Sequence, residues 1–337
     1  MIQKLFVSSA FFLLTTFLLT RSLPPAGAKQ DPVAARMRER TLALVEALTP
    51  AEKSKALFAY EDKERLNWHF IPRERKGQPL KEMKEEVRKK ALDVLRAGMS
   101  ETGARRAEDV MSLEEVLRNI EGAGGAIVRD PLLYYVSVFG TPDAARPWGF
   151  RLEGHHLSMN FALDGDKTVA STPIFYGANP ARVREGPKEG FRVLGSVEDA
   201  ARKLVASLDK EQLAACLGKE ESVPKEVGTD APRYKGPFPA GLEASKLGKD
   251  GKETLRQLIR EYTGNLNDET REKMEKRVGE DLAGVHFAWR GNLKAMEPHS
   301  YLVHGPGFVI SYVNMQNNGA HVHCALRDLE GDFGESK

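Results

Sequence analysis

The sequence predicts an α+β protein with an internal duplication, in which each half consists of helices followed by an antiparallel β-meander. Two observations support this fold class: helical periodicity recurs in matching segments of both halves, and two long strand-patterned stretches align without a gap. The expected halves are residues 29–200 and 201–337, packed as one compact domain about a pseudo-two-fold axis.

The helices come first in each half. Residues 44–49 (LVEALT) are echoed by residues 204–209 (LVASLD), which places Thr49 and Asp209 where each can cap a following helix. Residues 77–96 likewise resemble residues 241–260, with apolar side chains at helical spacing in both stretches.

The strands follow. Residues 135–163 align without a gap on residues 286–314, and this register superposes Gly154 on Gly305. Apolar residues alternate on either side of that glycine, and the alternation changes phase there, as a tight hairpin turn requires. A last strand is expected in each half, over residues 168–175 and 320–326.

The first 28 residues have the pattern of a secretory signal peptide. Lys4 precedes an apolar run over residues 5–19, and small residues at 26–28 offer a cleavage site near Ala28. The run has about 15 residues, fewer than the ~20 that a spanning helix needs. An uncleaved anchor is the alternative, but Pro24 and Pro25 disfavour a continuing helix. We therefore expect an exported protein, periplasmic or secreted, without a transmembrane segment in the mature chain.

Composition disfavours several classes of protein. The chain has 50 Lys and Arg residues against 48 Asp and Glu residues, and these charges are interleaved, so no nucleic-acid partner is expected. Only Cys216 and Cys324 are available for a disulfide, which excludes a disulfide scaffold. Whether these two cysteines form one bridge stays open at this point.

Four stretches carry a resemblance to a known family: residues 67–77 (NWHFIPRERKG), 153–158 (EGHHLS), 175–180 (FYGANP) and 316–323 (QNNGAHVH). They resemble a bacterial family catalogued only as domain of unknown function 3500, as do Arg327-Asp328 and residues 331–334. The resemblance implies an exported protein but no particular activity. Cys324 stands where the resemblance leads us to expect Ser, so this thiol is not expected to share in any family chemistry.

Histidines supply the sharpest chemical signal. His321 and His323 lie two residues apart on a predicted strand, so both side chains point to the same face and can bind one metal ion. His155, His156 and His304 lie at the two predicted hairpin turns and are further candidate ligands. An all-imidazole set suits zinc or copper, whereas an added carboxylate, for which Glu153 is the candidate, would admit iron or manganese. The alternative is that these are ordinary histidines of a cleft or surface.

Three further residues are candidates for catalysis. His69 and Arg73 lie in a cluster with Trp68 and Arg75, which could hold a carboxylate, phosphate or sulfate, or could serve structural ion pairs instead. Asp328 could orient a histidine ligand or act as a general base, or it could tie down the chain end through Arg327.

Three interpretations are compatible with these residues, and one of them is a purely structural envelope protein without a ligand; the other two assign a function. The first is an exported metal-dependent hydrolase or oxidoreductase acting on a small-molecule, peptide or glycan ligand. The second is a non-catalytic carbohydrate- or peptide-binding module that presents Trp68, Trp148 and Trp289 as aromatic platforms. Convergence of His321 and His323 with a third ligand on one centre would favour the enzyme. The oligomeric state is not determined by these patterns.

Overall fold

A computed structural model describes residues 33–122, 127–217, 231–236 and 238–335. The predicted signal peptide and its cleavage site lie outside the described residues. The described residues belong to one compact unit. The described residues contain no helix with both the length and the apolar character needed to cross a membrane.

Eight α-helices form within the described residues, and the second, third, sixth and seventh of them lie where capping residues and periodicity predict helices. Capping boxes begin the second and sixth helices, because Thr49 and Asp209 each accept a backbone N–H of the first turn. In the third helix Val87, Ala91 and Val94 are buried on one stripe. The helices are α1 (Val33–Ala47), α2 (Pro50–Ala56), α3 (Glu85–Gly98), α4 (Glu101–Glu121), α5 (Gly195–Ala206), α6 (Lys210–Cys216), α7 (Lys249–Thr263) and α8 (Asp268–Val278).

Twelve strands form one large sheet that is antiparallel except between its first and third strands. The strands are β1 (Leu57–Phe58), β2 (Gln78–Pro79), β3 (Tyr134–Phe139), β4 (Pro147–Gly154), β5 (Leu157–Asp164), β6 (Lys167–Ala170), β7 (Ile174–Ala178), β8 (Leu242–Glu243), β9 (His286–Gly291), β10 (His299–Gly305), β11 (Phe308–Gln316) and β12 (His321–Asp328). The fold is therefore α+β, as predicted.

The strand order is β1-β3-β4-β5-β7-β12-β11-β10-β9-β8, with β2 beside β3 and β6 beside β5. The antiparallel pair β7–β12 thus joins the strands of the two predicted halves. The single strand expected over residues 168–175 is instead two strands, β6 and β7. Pro173 lies between them, where its missing N–H cannot extend a ladder.

The two faces of the sheet are covered differently. Val322, Cys324 and Leu326 of β12 point into the main core, which the helices share. The intervening residues of β12 point to the opposite face, where a smaller cluster forms from Trp68, Phe70, Phe175, Val313, Ala325 and Phe333. The segment after β1 therefore covers the sheet on the side away from the main core, and this covered face carries the candidate site.

Candidate metal centre

His156 lies in the two-residue turn between β4 and β5 and has a positive φ of 61°. A non-glycine residue adopts this backbone conformation at a cost, so its neighbours must hold it there. Its N–H donates to the carbonyl of Phe70 at 2.9 Å, and its carbonyl accepts the N–H of Gly177 at 2.7 Å. The turn thereby directs the imidazole over β7.

His321 and His323 approach from β12. They follow a turn in which Asn317 and Asn318 both have positive φ, and the backbone N–H of His321 donates to Asn314 Oδ1 at 3.1 Å. His323 pairs with Gly177 of β7. The alternation of β12 puts both imidazoles on the face that His156 covers.

The three imidazoles converge through their Nε2 atoms. His156 Nε2 lies 2.8 Å from His321 Nε2 and 3.3 Å from His323 Nε2. One ligand nitrogen from each residue lies within 4.8 Å of the other two. Nitrogens bound to one tetrahedral ion by ~2.05 Å bonds are separated by ~3.3 Å. The group can therefore hold a metal ion, and the 2.8 Å separation also suits an N–H···N hydrogen bond between two neutral rings.

Gly177 is the residue that makes room for this centre. A Cβ atom at this position would lie 2.8 Å from Cγ and 3.0 Å from Cβ of His156. Any larger residue would therefore push against the base of the His156 side chain. Sequence reasoning assigned Gly177 no role in the site, because only the pairing of β7 with β12 places it there.

The environment keeps His156 and His321 neutral. Burial lowers the pKa of His156 well below its usual value, and the neighbouring histidines lower it further. Burial, followed by the proximity of His323 and His155, lowers the pKa of His321 to about 3. Neutral imidazole is the form that binds metal ions, so these two residues need lose no proton near neutral pH.

Aromatic rings close one side of the centre. Phe70 and Phe175 stack with ring centroids 3.8 Å apart, and the ring of His323 lies 4.6 Å from that of Phe70. These rings keep the local dielectric low, which strengthens any electrostatic interaction with a bound cation.

His155 lies next to the group rather than within it. Its ring stacks on that of His156 with centroids 3.7 Å apart, while its Nδ1 lies 2.5 Å from Oε1 of the buried Glu114. Arg129 Nη1 is 3.2 Å from the same nitrogen. Sequence reasoning missed Glu114, which α4 brings from a distant part of the chain.

His304 is not brought to the centre. Its Nε2 lies 2.8 Å from the carbonyl oxygen of Pro239, and its ring stacks on that of His286. His304 pairs with Val309 of β11, whereas His323 pairs with Val313 of the same strand. These two partners are four residues apart, about 13 Å along the strand, which separates His304 from the histidine group.

His69 and Arg73 lie in the covering segment. His69 Nδ1 accepts the N–H groups of Phe70 and Ile71 at 3.0 and 3.2 Å. Arg73 is exposed, and its Nη2 donates to Asn67 Oδ1 at 2.9 Å. His69 therefore supports its own turn, while Arg73 presents its guanidinium at the surface.

Glu153, the carboxylate considered as an oxygen ligand, is engaged elsewhere. Its Oε1 accepts from Arg75 Nε at 3.1 Å, and both side chains are almost fully buried. Its Oε2 accepts the His69 N–H at 2.7 Å and the Ser158 hydroxyl at 3.0 Å. Glu153 thus anchors the covering segment to β4.

Asp328 lies at the far end of β12, five residues beyond His323, or about 17 Å along the strand. Its Oδ1 accepts the N–H groups of Glu330 and Gly331, both at 3.0 Å, and Arg277 forms an ion pair with it. The structure therefore places the Asp328 carboxylate in the turn that follows β12, away from the three histidines.

The residues proposed for other roles are buried. Trp68, Trp148 and Trp289 are each at most 1% exposed, so none offers a ring to an external ligand. Cys216 and Cys324 are both free and buried, which answers the question of a bridge between them.

A cleft of about 260 Å³ opens beside His155. Its walls include apolar and aromatic side chains together with Arg73 and Glu114; the lining residues are Pro72, Arg73, Arg75, Glu114, Ile127, Val128, Asp130, Leu133, Tyr134, Tyr135 and His155. The ring of His155 therefore contacts both this cleft and a member of the histidine group.

Comparison with known proteins adds a family and no activity. Residues 30–335 match the family described as "Protein of unknown function (DUF3500)", and the chain belongs to that family, as its motifs predicted. No curated protein and no solved structure matches the chain.

Proposed function

We propose that this member of the DUF3500 family is a metal-dependent enzyme, a hydrolase or an oxidoreductase, with His156, His321 and His323 as its metal ligands. The observation that carries the proposal is the convergence of three Nε2 atoms from two separate parts of the chain. Three protein ligands leave one position of a tetrahedral ion for water or substrate, as catalytic zinc sites do.

The donor set favours zinc or copper. Among the described residues the group contains three imidazoles and no carboxylate or thiolate, and Glu153 is already engaged by Arg75 and the His69 N–H. Imidazole suits zinc and copper, whereas iron and manganese sites usually include carboxylates. Zinc would activate a bound water for hydrolysis, and copper would support an oxidation.

The remaining candidates differ in how well their positions serve such a site. Arg73 lies on the wall of the cleft that His155 also lines, so it can hold an anionic group of a substrate. His69, His304 and Asp328 make the local contacts described above, and the proposal gives them no part in metal binding.

The test is elemental analysis of the mature protein, purified from its native compartment without a histidine tag. We expect close to one transition-metal ion per chain, and less than a tenth of that in the double variant His321→Ala/His323→Ala. His286→Ala is the matched control, because His286 lies outside the group, and it should retain the metal. Circular dichroism establishes that each variant is folded.

The opposite result would have a clear meaning. If the wild-type protein contains no metal and takes up none from zinc, copper, iron or manganese salts, the enzyme proposal is wrong. A non-catalytic carbohydrate- or peptide-binding module would then be the better hypothesis, with glycan and peptide screens as the next measurement.

We also propose that the protein is exported, to the periplasm or beyond, after cleavage near Ala28. The charged Lys4, the short apolar run and the small residues at 26–28 support this location. N-terminal sequencing of the protein from its source should begin near Lys29, and an intact Met1 would contradict the proposal.

We further propose that the two halves arose by duplication and are related by a pseudo-two-fold axis between β7 and β12. The pair Glu153–Ser158 of β4 and β5 corresponds in the gapless alignment to His304–Val309 of β10 and β11, which also pair directly. The capping boxes of α2 and α6 occur at matching places. Failure of β3–β7 to superpose on β9–β12 in an experimental structure would contradict this proposal.

The proposed duplication bears on the site. The alignment places Gly307 opposite His156 and Val309 opposite Ser158. The sheet partners of those two residues, Arg327 and Phe175, therefore correspond, which places Ser171 opposite His323. Only one of the two related positions would then carry histidines, so we propose a single metal centre per chain.

A further inference from the structure

Among the residues that the structure describes, one cation of the cleft beside His155 forms no ion pair. Arg75 is paired with Glu153 at 3.1 Å, and Asp130 is paired with Lys81 at 2.7 Å. Within the described part of the chain, the Arg73 side chain donates only to Asn67 and forms no ion pair.

The remaining acidic residue of the cleft wall is Glu114, and its carboxylate faces inward, towards His155. Glu114 is 3% exposed, and its Oε1 lies 2.5 Å from His155 Nδ1. Its charge is therefore directed at the imidazole rather than at the space of the cleft. An anion entering from solvent meets the unpaired guanidinium of Arg73 at the surface, and guanidinium binds carboxylates through two parallel hydrogen bonds.

The rest of the wall is suited to an apolar body. Pro72, Leu133 and Tyr135 supply apolar and aromatic surface. The Tyr134 hydroxyl donates to the His155 carbonyl at 2.9 Å, which fixes the ring against the turn. A volume of about 260 Å³ lies just below the ~300–1,000 Å³ typical of ligand pockets, so the cleft fits a molecule of amino-acid size.

We propose that this cleft binds a small organic carboxylate with a compact apolar or aromatic body, whose carboxylate is held by Arg73. The inference that this ligand is the substrate of the metal centre rests on the proposed function. The proposal that the cleft binds a carboxylate does not rest on the proposed function, because none of the three proposed metal ligands lines the cleft. The His155 ring, stacked at 3.7 Å on that of His156, is the element shared by the two sites.

The experiment is isothermal titration calorimetry of the mature protein with benzoate, performed after removal of metal with a chelator so that the carboxylate has no ion to bind. We expect saturable binding at one site, at millimolar concentration or below. Benzamide, which has the same shape without the charge, should bind at least tenfold more weakly.

Variants locate the binding and separate the two proposals. Arg73→Gln should weaken benzoate binding at least tenfold, whereas Arg105→Gln, a change at an exposed arginine of α4 outside the cleft, should leave it unchanged. His321→Ala/His323→Ala should lose metal and still bind benzoate. Absence of benzoate binding, or equal binding by Arg73→Gln and wild type, would overturn the cleft proposal. Neither result would alter the metal content that tests the proposed function.

Discussion

Replacement of Gly177 by Ala should weaken metal binding without altering any proposed ligand. The added Cβ would lie 2.8 Å from His156 Cγ, whereas ordinary van der Waals contact begins near 3.4 Å. The imidazole must therefore shift by about 0.6 Å, more than the ~0.2 Å within which metal–ligand distances are usually held.

His156 has little freedom to accommodate that shift. Its backbone is held by hydrogen bonds to Phe70 and Gly177, and its ring is stacked on His155. Rotation about the Cα–Cβ bond of His156 would turn the ring out of the group, and it leaves the 3.0 Å contact with His156 Cβ unchanged. Changes that misorient a ligand typically cost 10–100-fold in metal affinity, so we expect a loss of about 1.4–2.8 kcal/mol in binding free energy. Overpacking should also lower the free energy of unfolding by about 1–3 kcal/mol.

The assay is competition for zinc or copper between the protein and a chromophoric chelator. Gly248→Ala is the matched control, because a Cβ at Gly248 meets no atom within 4 Å. The reasoning fails if folded Gly177→Ala binds metal as tightly as wild type does. In that case either the His156 ring is more mobile than its contacts imply, or His156 is not a ligand.

Three other predictions concern the surrounding structure. Glu153→Gln should lower the free energy of unfolding by about 3–5 kcal/mol in chemical denaturation, because it leaves Arg75 buried without its partner. Glu85→Gln, a change at an exposed residue, should alter the free energy of unfolding by at most about 0.5 kcal/mol. Equal effects of the two changes would contradict the assignment of Glu153 to a buried ion pair. Burial lowers the pKa of His299 to about 4, and an unfolded histidine titrates near 6.5. The free energy of unfolding should therefore fall as pH decreases from about 6.5 towards 4, since the unfolded chain takes up the proton first. His299→Phe should reduce this slope, to which His156 and His321 also contribute because their pKa values are lowered too, and an unchanged slope would exclude His299 as a source. Burial raises the pKa of both cysteine thiols to about 12. A thiol reagent should therefore label neither cysteine in the folded protein and both cysteines after denaturation without reductant. Labelling of fewer than two cysteines after denaturation would indicate a disulfide.

Local sequence signals predicted much of the architecture. The capping residues Thr49 and Asp209 begin helices as expected, because a cap depends on only a few adjacent residues. The glycine at the end of β4 preceded the predicted hairpin turn. The division of residues 168–175 into two strands was missed, although Pro173 provided a usable signal.

The candidate site was predictable only in part. Strand alternation put His321 and His323 on one face before any tertiary information was used. It could not choose between adjacent His155 and His156, which differ in whether the ring enters the group or stacks beside it. That choice follows from the positive φ of His156 and its hydrogen bond to Phe70. Its place at a predicted hairpin turn made His304 a candidate, but His304 lies in β10, which the strand order separates from β12 by β11.

By itself the sequence determined the fold class, the family and two histidines on one strand face, since these depend on periodicity and short motifs. Only the tertiary structure decided that β7 and β12 are neighbours, and with that pairing it placed His156 over Gly177 and opposite His323. It also assigned Glu153 to a buried ion pair and Glu114 to His155. The physical reason is that a metal site requires distances held to tenths of an ångström between residues distant in sequence, and long-range strand pairing sets those distances.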